Sequence, residues 1–283
     1  MRVVLLGASG QLGCDLKRTV PPNVKLFSLT RNELDITLKT NVETVLENLK
    51  PDIVINTSAY VKVDKAEEEI NEAFKVNAIG VKYLVEICKK LKITLLHIST
   101  DYVFDGKKGK LKEPYYESDQ PNPLNVYGIS KLSGELLIRN YLERYYIIRV
   151  ASLFGKAGAS GKGGNFVYTI LNKAKAKQPL KVVNDIYMSP TYTLDAAKEI
   201  WKLLLEKREF GIYHITNSGY CSWFEFAKEI IKIAKIDTDI KPVSHTEFKT
   251  KAKRPLWSPL SSEKGIKLPH WKTALDRFLK EII

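Results

Sequence analysis

A chain of 283 residues, 44% hydrophobic and 27% charged, has the make-up of a soluble globular protein with a sizeable core. No apolar run approaches the ~20 residues that span a bilayer, and three cysteines without CxxC spacing (Cys14, Cys88, Cys221) argue against a disulfide scaffold or zinc site and for reduced thiols in a cytoplasm. The net charge of +13 is spread through lysine-rich helical stretches such as "KKLKI" without stacking aromatics, so it reads as a solvated surface and speaks against a nucleic-acid partner.

The opening "RVVLLG" (2–7) reads as a strand, because it runs straight into a glycine turn and not into a signal-peptide cleavage site. "GASGQLG" follows, with glycines at 7, 10 and 13 on the way into the helix "QLGCDLKRTV". A strand–turn–helix of this kind lets the backbone approach a pyrophosphate closely and turns the unpaired N–H groups of a helix start towards it. Gly7, Gly10, Gln11 and Leu12 are therefore candidate cofactor contacts. The second strand, "VKLFSLT" (24–30), ends at Thr30 and Arg31. An acidic residue there suits the ribose of NAD, whereas an arginine accommodates a 2′-phosphate. Arg31 favours NADPH, with plain surface charge as the competing reading; Asp35 and Ile36 could flank an adenine and keep NADH open.

A helix over "TNVETVLENLK", a third strand in "PDIVINTSA", a single helix through "AFKVNAIGVKYLVEICKKL" and a fourth strand "ITLLHIST" continue the alternation. Apolar strands alternating with amphipathic helices make βαβ units and a parallel sheet covered on both faces. Ser99, Thr100 and Asp101 emerge where the fourth strand stops, at the end of a parallel sheet where ligands bind.

Next comes "NVYGISKLSGE", which starts a helix and sets Tyr127 and Lys131 four residues apart on one face. Hydride delivery to a ketone leaves an alkoxide unless a proton reaches the same oxygen. A phenol with a pKa of ~10 can supply it, and an ammonium one turn away would pull that pKa towards working pH. Thr100 can hydrogen-bond both the substrate carbonyl and the phenol, which makes Tyr127, Lys131 and Thr100 the catalytic candidates.

The strand "YYIIRVASLFG" completes the fifth unit, and "GKAGASGKGG" (155–164) reads as a glycine-rich linker or lid. Helices are expected in "NFVYTILNKAKA", "SWFEFAKEIIKIAKI" and "WKTALDRFLKEII". "KVVND" and "GIYHIT" look like late strands that rejoin the sheet. The fold class is α/β: a doubly wound parallel sheet of the NAD(P)-binding Rossmann kind, with a smaller, mostly C-terminal α/β substrate lobe. Residues 1–154 and about 181–218 fall to the dinucleotide-binding domain, about 155–180 and 219–283 to the lobe.

With "RNELDIT", "VDKAEEE", "STDYVFDG", "NPLNVYGISKLSGE", "VVNDIYMSPTYTLD" and "GIYHITNSGYCSWFEFAKEI", the chain resembles the dTDP-4-dehydrorhamnose reductases of the extended short-chain dehydrogenase/reductase family along nearly its whole length. The resemblance implies reduction of the 4-keto group of a nucleotide-linked 6-deoxy sugar with NADPH. It implies Tyr127 as proton donor, Lys131 as its tuner and ribose ligand, and Thr100 as helper. Cofactor contacts would lie at Gly10 to Leu12, Asp35, Ile36, and Ala59, Tyr60 and Val61. Substrate contacts would lie at Thr100 and Asp101, with Arg254 of "KRPLWS" towards the diphosphate. Ser152 stands where many members carry a tryptophan against the sugar, Val61 replaces a frequent threonine, and Met188 a usual glycine. Some members dimerise around Mg²⁺ held by glutamates. Asp15 occupies one such position, which leaves a metal-bridged homodimer open. Two other readings compete: a sugar-nucleotide epimerase or dehydratase, and a non-catalytic subunit like the regulatory subunit of methionine adenosyltransferase. The Thr-Asp-Glu run usual in such a dehydratase is broken here by Tyr102.

Overall fold

The computed structural model describes residues 1–158 and 164–283. In chain order its first half comprises β1 (Arg2–Leu6), α1 (Gln11–Arg18), β2 (Lys25–Leu29), α2 (Lys39–Leu49), β3 (Ile53–Asn56), α3 (Val63–Ala66), α4 (Ile70–Phe74), α5 (Gly80–Leu91), β4 (Thr94–Thr100), α6 (Val126–Tyr141) and β5 (Tyr145–Val150). The second half adds β6 (Leu153–Phe154), α7 (Phe166–Lys175), β7 (Leu180–Val183), β8 (Tyr187–Met188), β9 (Thr191–Tyr192), α8 (Thr193–Leu205), β10 (Gly211–His214), β11 (Asn217–Ser218), β12 (Cys221–Ser222), α9 (Trp223–Ala234), β13 (Ile240–Val243), β14 (Leu268–His270) and α10 (Trp271–Ile282). Among the described residues no helix is long and apolar enough to cross a membrane.

Six parallel strands form the central sheet in the order β10-β5-β4-β3-β1-β2. The strands are apolar on both faces, and alternate residues feed two separate cores. Val3, Leu5, Ile55, Leu96 and Ile148 pack with α1 and α8, while Val4, Leu6, Val54, Leu95 and Ile147 pack with α2, α5 and α6. The strand order reverses between β1 and β3, which opens a crevice at their carboxyl ends. A third core, built from α7, α9 and α10 around Phe154, Phe226 and Phe278, holds the second lobe together.

Several sequence expectations shift. "GIYHIT" reaches the central sheet as β10, but "KVVND" does not: β7 pairs in parallel with β13 instead, and Leu180 and Val182 enter the third core. The reason lies in its alternation, since Lys181 between them is exposed and a central parallel strand needs two apolar faces. The single helix through residues 73–91 is interrupted by a π-turn at Lys75–Ile79. The fifth strand stops at Val150, because Ser152 takes a left-handed φ of 42° before the short β6. Of the expected lid or linker at 155–164, residues 159–163 lie outside the described residues.

Three helices, α2, α5 and α9, end on a lysine in the left-handed conformation (Lys50, φ 44°; Lys92, φ 54°; Lys235, φ 54°). Glycine takes this place without steric cost. Each Lys→Gly change at these positions is expected to raise stability by ~0.5–1 kcal/mol, read as a higher midpoint in urea unfolding.

Candidate active site

A cavity of about 570 Å³ opens at the carboxyl ends of β1, β3 and β4. Its floor is the glycine turn. Gly7 has a φ of +73°, and a Cβ there would lie 2.7 Å from Thr57 Oγ1 and 2.9 Å from the Ser58 nitrogen. A Cβ on Gly13 would sit 2.5 Å from the Gly7 carbonyl oxygen, so the start of α1 packs directly on the turn. Gly10 is the N-cap of α1, no side chain caps its first N–H groups, and no acidic residue stands in its first turn. The helices α6, α7 and α9 carry side-chain caps, from Asn125, Asn165 and Ser222, whereas α2 and α8 are uncapped like α1 but start outside the cavity. α1 thus keeps its amide donors and positive dipole end for an anion, and the cradle fits the pyrophosphate of a dinucleotide.

Along the crevice, Arg31 stands at the mouth with its side chain 75% exposed, its Nε 3.0 Å from Asp35 Oδ2. Asp35 Oδ1 accepts hydrogen bonds from the Thr37 nitrogen and hydroxyl at 2.9 and 2.8 Å. Partial burial would raise the Asp35 carboxyl, but the bonds from Thr37 and Arg31 outweigh it and hold it below its usual range. Ile36 is buried beneath. The segment from Ala59 to Val61 is fixed by Asn77, which the sequence reading missed. Its Oδ1 accepts the Tyr60 N–H at 2.9 Å and its Nδ2 donates to the Tyr60 carbonyl at 3.1 Å and to Ser130 Oγ at 3.0 Å. Asn77 sits in the π-turn, a distortion that recurs at functional sites. The available signal was only an asparagine inside an otherwise apolar stretch, "VNAIGV".

At the inner end, Asn125 starts α6 by accepting the Gly128 N–H at 2.8 Å and ties it to the second lobe through the Lys253 carbonyl at 2.8 Å. This aims Tyr127 and Lys131 into the cavity. Burial pushes the Tyr127 phenol well above its usual range; a hydrogen bond with Thr100 lowers it, while Asp101 and Tyr102 push it further up. Tyr102 packs edge-on against it, ring centroids 5.9 Å apart. Asp101 is buried and raised to about 6 by that burial, against hydrogen bonds from Ser258 Oγ at 2.6 Å and Thr100 Oγ1 at 3.1 Å.

Lys131 behaves differently from the sequence expectation. Its Nζ bonds the Ile98 carbonyl at 2.6 Å and His97 Nε2 at 3.0 Å, both on β4, and not the phenol. Burial lowers it to about 8, with Glu135 acting the other way. Lys131 is not among the groups that shift Tyr127. The spacing of four brings both side chains to one cavity, but β4 captures the amine.

Below the site lies a wholly buried ion pair. Arg149 donates to Glu135 from Nε at 3.1 Å and from a terminal nitrogen at 2.7 Å, and Ser99 Oγ also donates to Glu135. The pair clamps β4, β5 and α6 together.

Ser152 lines the same cavity, but Arg254 does not. It lines a second cavity of about 680 Å³ in the C-terminal lobe, in a fork on Asp64 at 3.1 and 2.7 Å, near Lys173, Lys181, Lys251 and Lys253. Phe166 and Trp223 belong to the walls of both cavities. Met188 is a buried member of the third core. Asp15 is also buried, accepting from Thr193 Oγ1 at 2.5 Å with Arg18 at 3.6 Å, and burial raises its carboxyl. It therefore ties α1 to α8 and does not present a surface ligand for Mg²⁺. Among the described residues no cluster of three His, Cys, Asp or Glu side chains could hold a metal.

The whole chain, residues 1–283, matches the family described as RmlD substrate binding domain. It is 39% identical over 285 residues to the spore coat polysaccharide biosynthesis protein SpsK of Bacillus subtilis, covering 99% of this chain and 97% of that protein. It is 37% identical to the dTDP-4-dehydrorhamnose reductase of Aggregatibacter actinomycetemcomitans, covering 97% of each. The crystal structure of dTDP-4-dehydrorhamnose reductase from Bacillus anthracis in complex with NADP superposes with a TM-score of 0.93 at 37% identity, covering 99% of both chains.

Proposed function

The chain belongs to the RmlD substrate-binding domain family, and from that premise we propose that it reduces the 4-keto group of a dTDP-linked 6-deoxy sugar. The substrate is dTDP-4-dehydro-L-rhamnose, the product dTDP-L-rhamnose and the reductant NADPH. The relatives named as dTDP-4-dehydrorhamnose reductases support the substrate, and the NADP bound to the Bacillus anthracis protein supports the cofactor. The observation that carries the reading is that one cavity joins an uncapped glycine turn to Tyr127, Lys131 and Thr100, with a second chamber, Arg254 in its wall, on the far side of Phe166 and Trp223.

Bound NADPH would supply the hydride to the sugar C4. The chain's residues supply the rest. Thr100 holds the carbonyl oxygen beside Tyr127, and Tyr127 transfers its proton to that oxygen, so hydride plus proton turn the ketone into an alcohol. The phenol carries its proton into each turnover, but burial makes it a weaker acid in the ligand-free protein, so the bound substrate and cofactor must bring it back towards working pH. Lys131 and Asn77 position the nicotinamide end and the Ala59–Val61 wall. Arg254 holds the diphosphate through charge-assisted hydrogen bonds. Three free thiols fit a reducing cytoplasm.

Mixing the protein with NADPH and dTDP-4-dehydro-L-rhamnose should oxidise one cofactor per dTDP-L-rhamnose formed. Product without net cofactor loss would point to an epimerase or dehydratase instead, and no turnover on any nucleotide keto sugar would end the reading. Arg254→Lys keeps the charge but loses the planar fork. It is expected to raise KM for the nucleotide sugar about tenfold to a hundredfold, with NADPH affinity, followed by fluorescence titration, unchanged.

A further inference from the structure

Three buried side chains connect the sheet to the site. Asn56 on β3 and His97 on β4 are register partners, and both are wholly buried. The Asn56 Oδ1 accepts the Ser58 N–H at 3.0 Å, which orients the amide and leaves its Nδ2 facing His97 Nδ1 at 3.1 Å. An amide nitrogen only donates, so Nδ1 accepts and carries no hydrogen. A neutral imidazole then holds its hydrogen on Nε2, which faces Lys131 Nζ at 3.0 Å. An ammonium has no lone pair to receive that N–H; a neutral amine has one.

We propose that Asn56 and His97 form a tautomer lock that holds Lys131 as a neutral amine in the ligand-free protein, so that cofactor binding brings a proton onto Lys131. Protonating Lys131 in place would oblige the imidazole to shift its hydrogen to Nδ1 and the Asn56 amide to turn over, which breaks the bond from Ser58. Turning Nζ away from β4 towards a bound ribose removes the conflict without that rearrangement. The other groups around Lys131 do not override the lock. The Ile98 carbonyl is satisfied by an amine N–H as well as by an ammonium, and Glu135 on the same helix is bound by Arg149 of β5 and Ser99 of β4. Asp101 beyond β4 is bound by Ser258 and Thr100. Burial of Lys131 acts in the same direction as the lock. His97 is on this account a positioning residue: it touches neither substrate nor cofactor and acts through Lys131.

The inference rests on Lys131 as a cofactor ligand, so its test has one arm that needs no cofactor. Long-range ¹H–¹⁵N correlation on the ¹⁵N-labelled, ligand-free chain reads the tautomer of each histidine, with His97 assigned by its loss in His97→Gln. A neutral Nε2–H ring near neutral pH is expected; an Nδ1–H or charged ring overturns the lock. Asn56→Asp is isosteric but only accepts, and should switch the ring to Nδ1–H. The second arm measures NADPH binding by calorimetry in buffers of different ionisation enthalpy at mildly alkaline pH. The unaltered chain should take up a large fraction of one proton per cofactor, and His97→Gln, whose amide can turn its oxygen to an ammonium, less than about half of that. Equal uptake in the two proteins, or none in either, overturns the proposal. If NADPH fails to bind at all, the reductase reading falls, and the tautomer measurement alone decides the lock.

Discussion

Replacing Tyr127 with phenylalanine is expected to cut reductive turnover about a thousandfold, the middle of the range for a positioned general acid, while NADPH binds within a few-fold of normal. The substitution removes one oxygen and leaves the ring against Tyr102, so the cavity keeps its shape. What disappears is the proton delivered to the sugar oxygen, and water must replace it at a site that burial has partly dried. Measuring kcat at saturating substrates together with cofactor affinity separates the two effects. A variant that keeps more than a tenth of the rate would remove Tyr127 from the proton-transfer step. The pH profile carries a related sign. Because the phenol lies above its usual range, it stays protonated as pH rises, and its ionisation causes no loss of reductive rate in the ordinary working range.

Glu135→Gln should destabilise the fold by about 3–5 kcal/mol. It is nearly isosteric, yet it strands the Arg149 guanidinium with no surface access and no countercharge. For a chain of this size such a loss lowers the melting temperature by roughly 5–8 °C. The interaction is a pair property, so the double change Glu135→Leu with Arg149→Met should melt closer to the unaltered protein than Glu135→Gln does. A thermal melt of Glu135→Gln within about 2 °C of the unaltered chain would show that water or another group reaches the guanidinium. The same pair supports Ser99 at the end of β4, so turnover should fall along with stability.

How far the residues alone could lead depended on whether the deciding contact was local. The glycine turn, the strands apolar on both faces and the i,i+4 step from Tyr127 to Lys131 are short-range patterns, and all were legible. β7 was assigned to the wrong sheet because its partner, Ile240–Val243, lies some sixty residues on, and only the exposed Lys181 hinted at it. The direction of the Lys131 amine was hidden for the same reason: its partner His97 stands on another element, and nothing near Lys131 in the chain announces it. Asn77 needed the π-turn to be recognised, which a helical period conceals. Arg254 was picked out through resemblance, but its fork on Asp64 and its place in a separate chamber come from packing.

Phe166 and Trp223, ring centroids 4.6 Å apart, form a party wall between the two chambers. A party wall cannot be moved for one tenant alone. If an occupant of the first chamber shifts either ring, the affinity in the second changes by some factor, and that factor returns in full in the opposite direction. Tightening measured from either side is then one property of the same pair of aromatic rings.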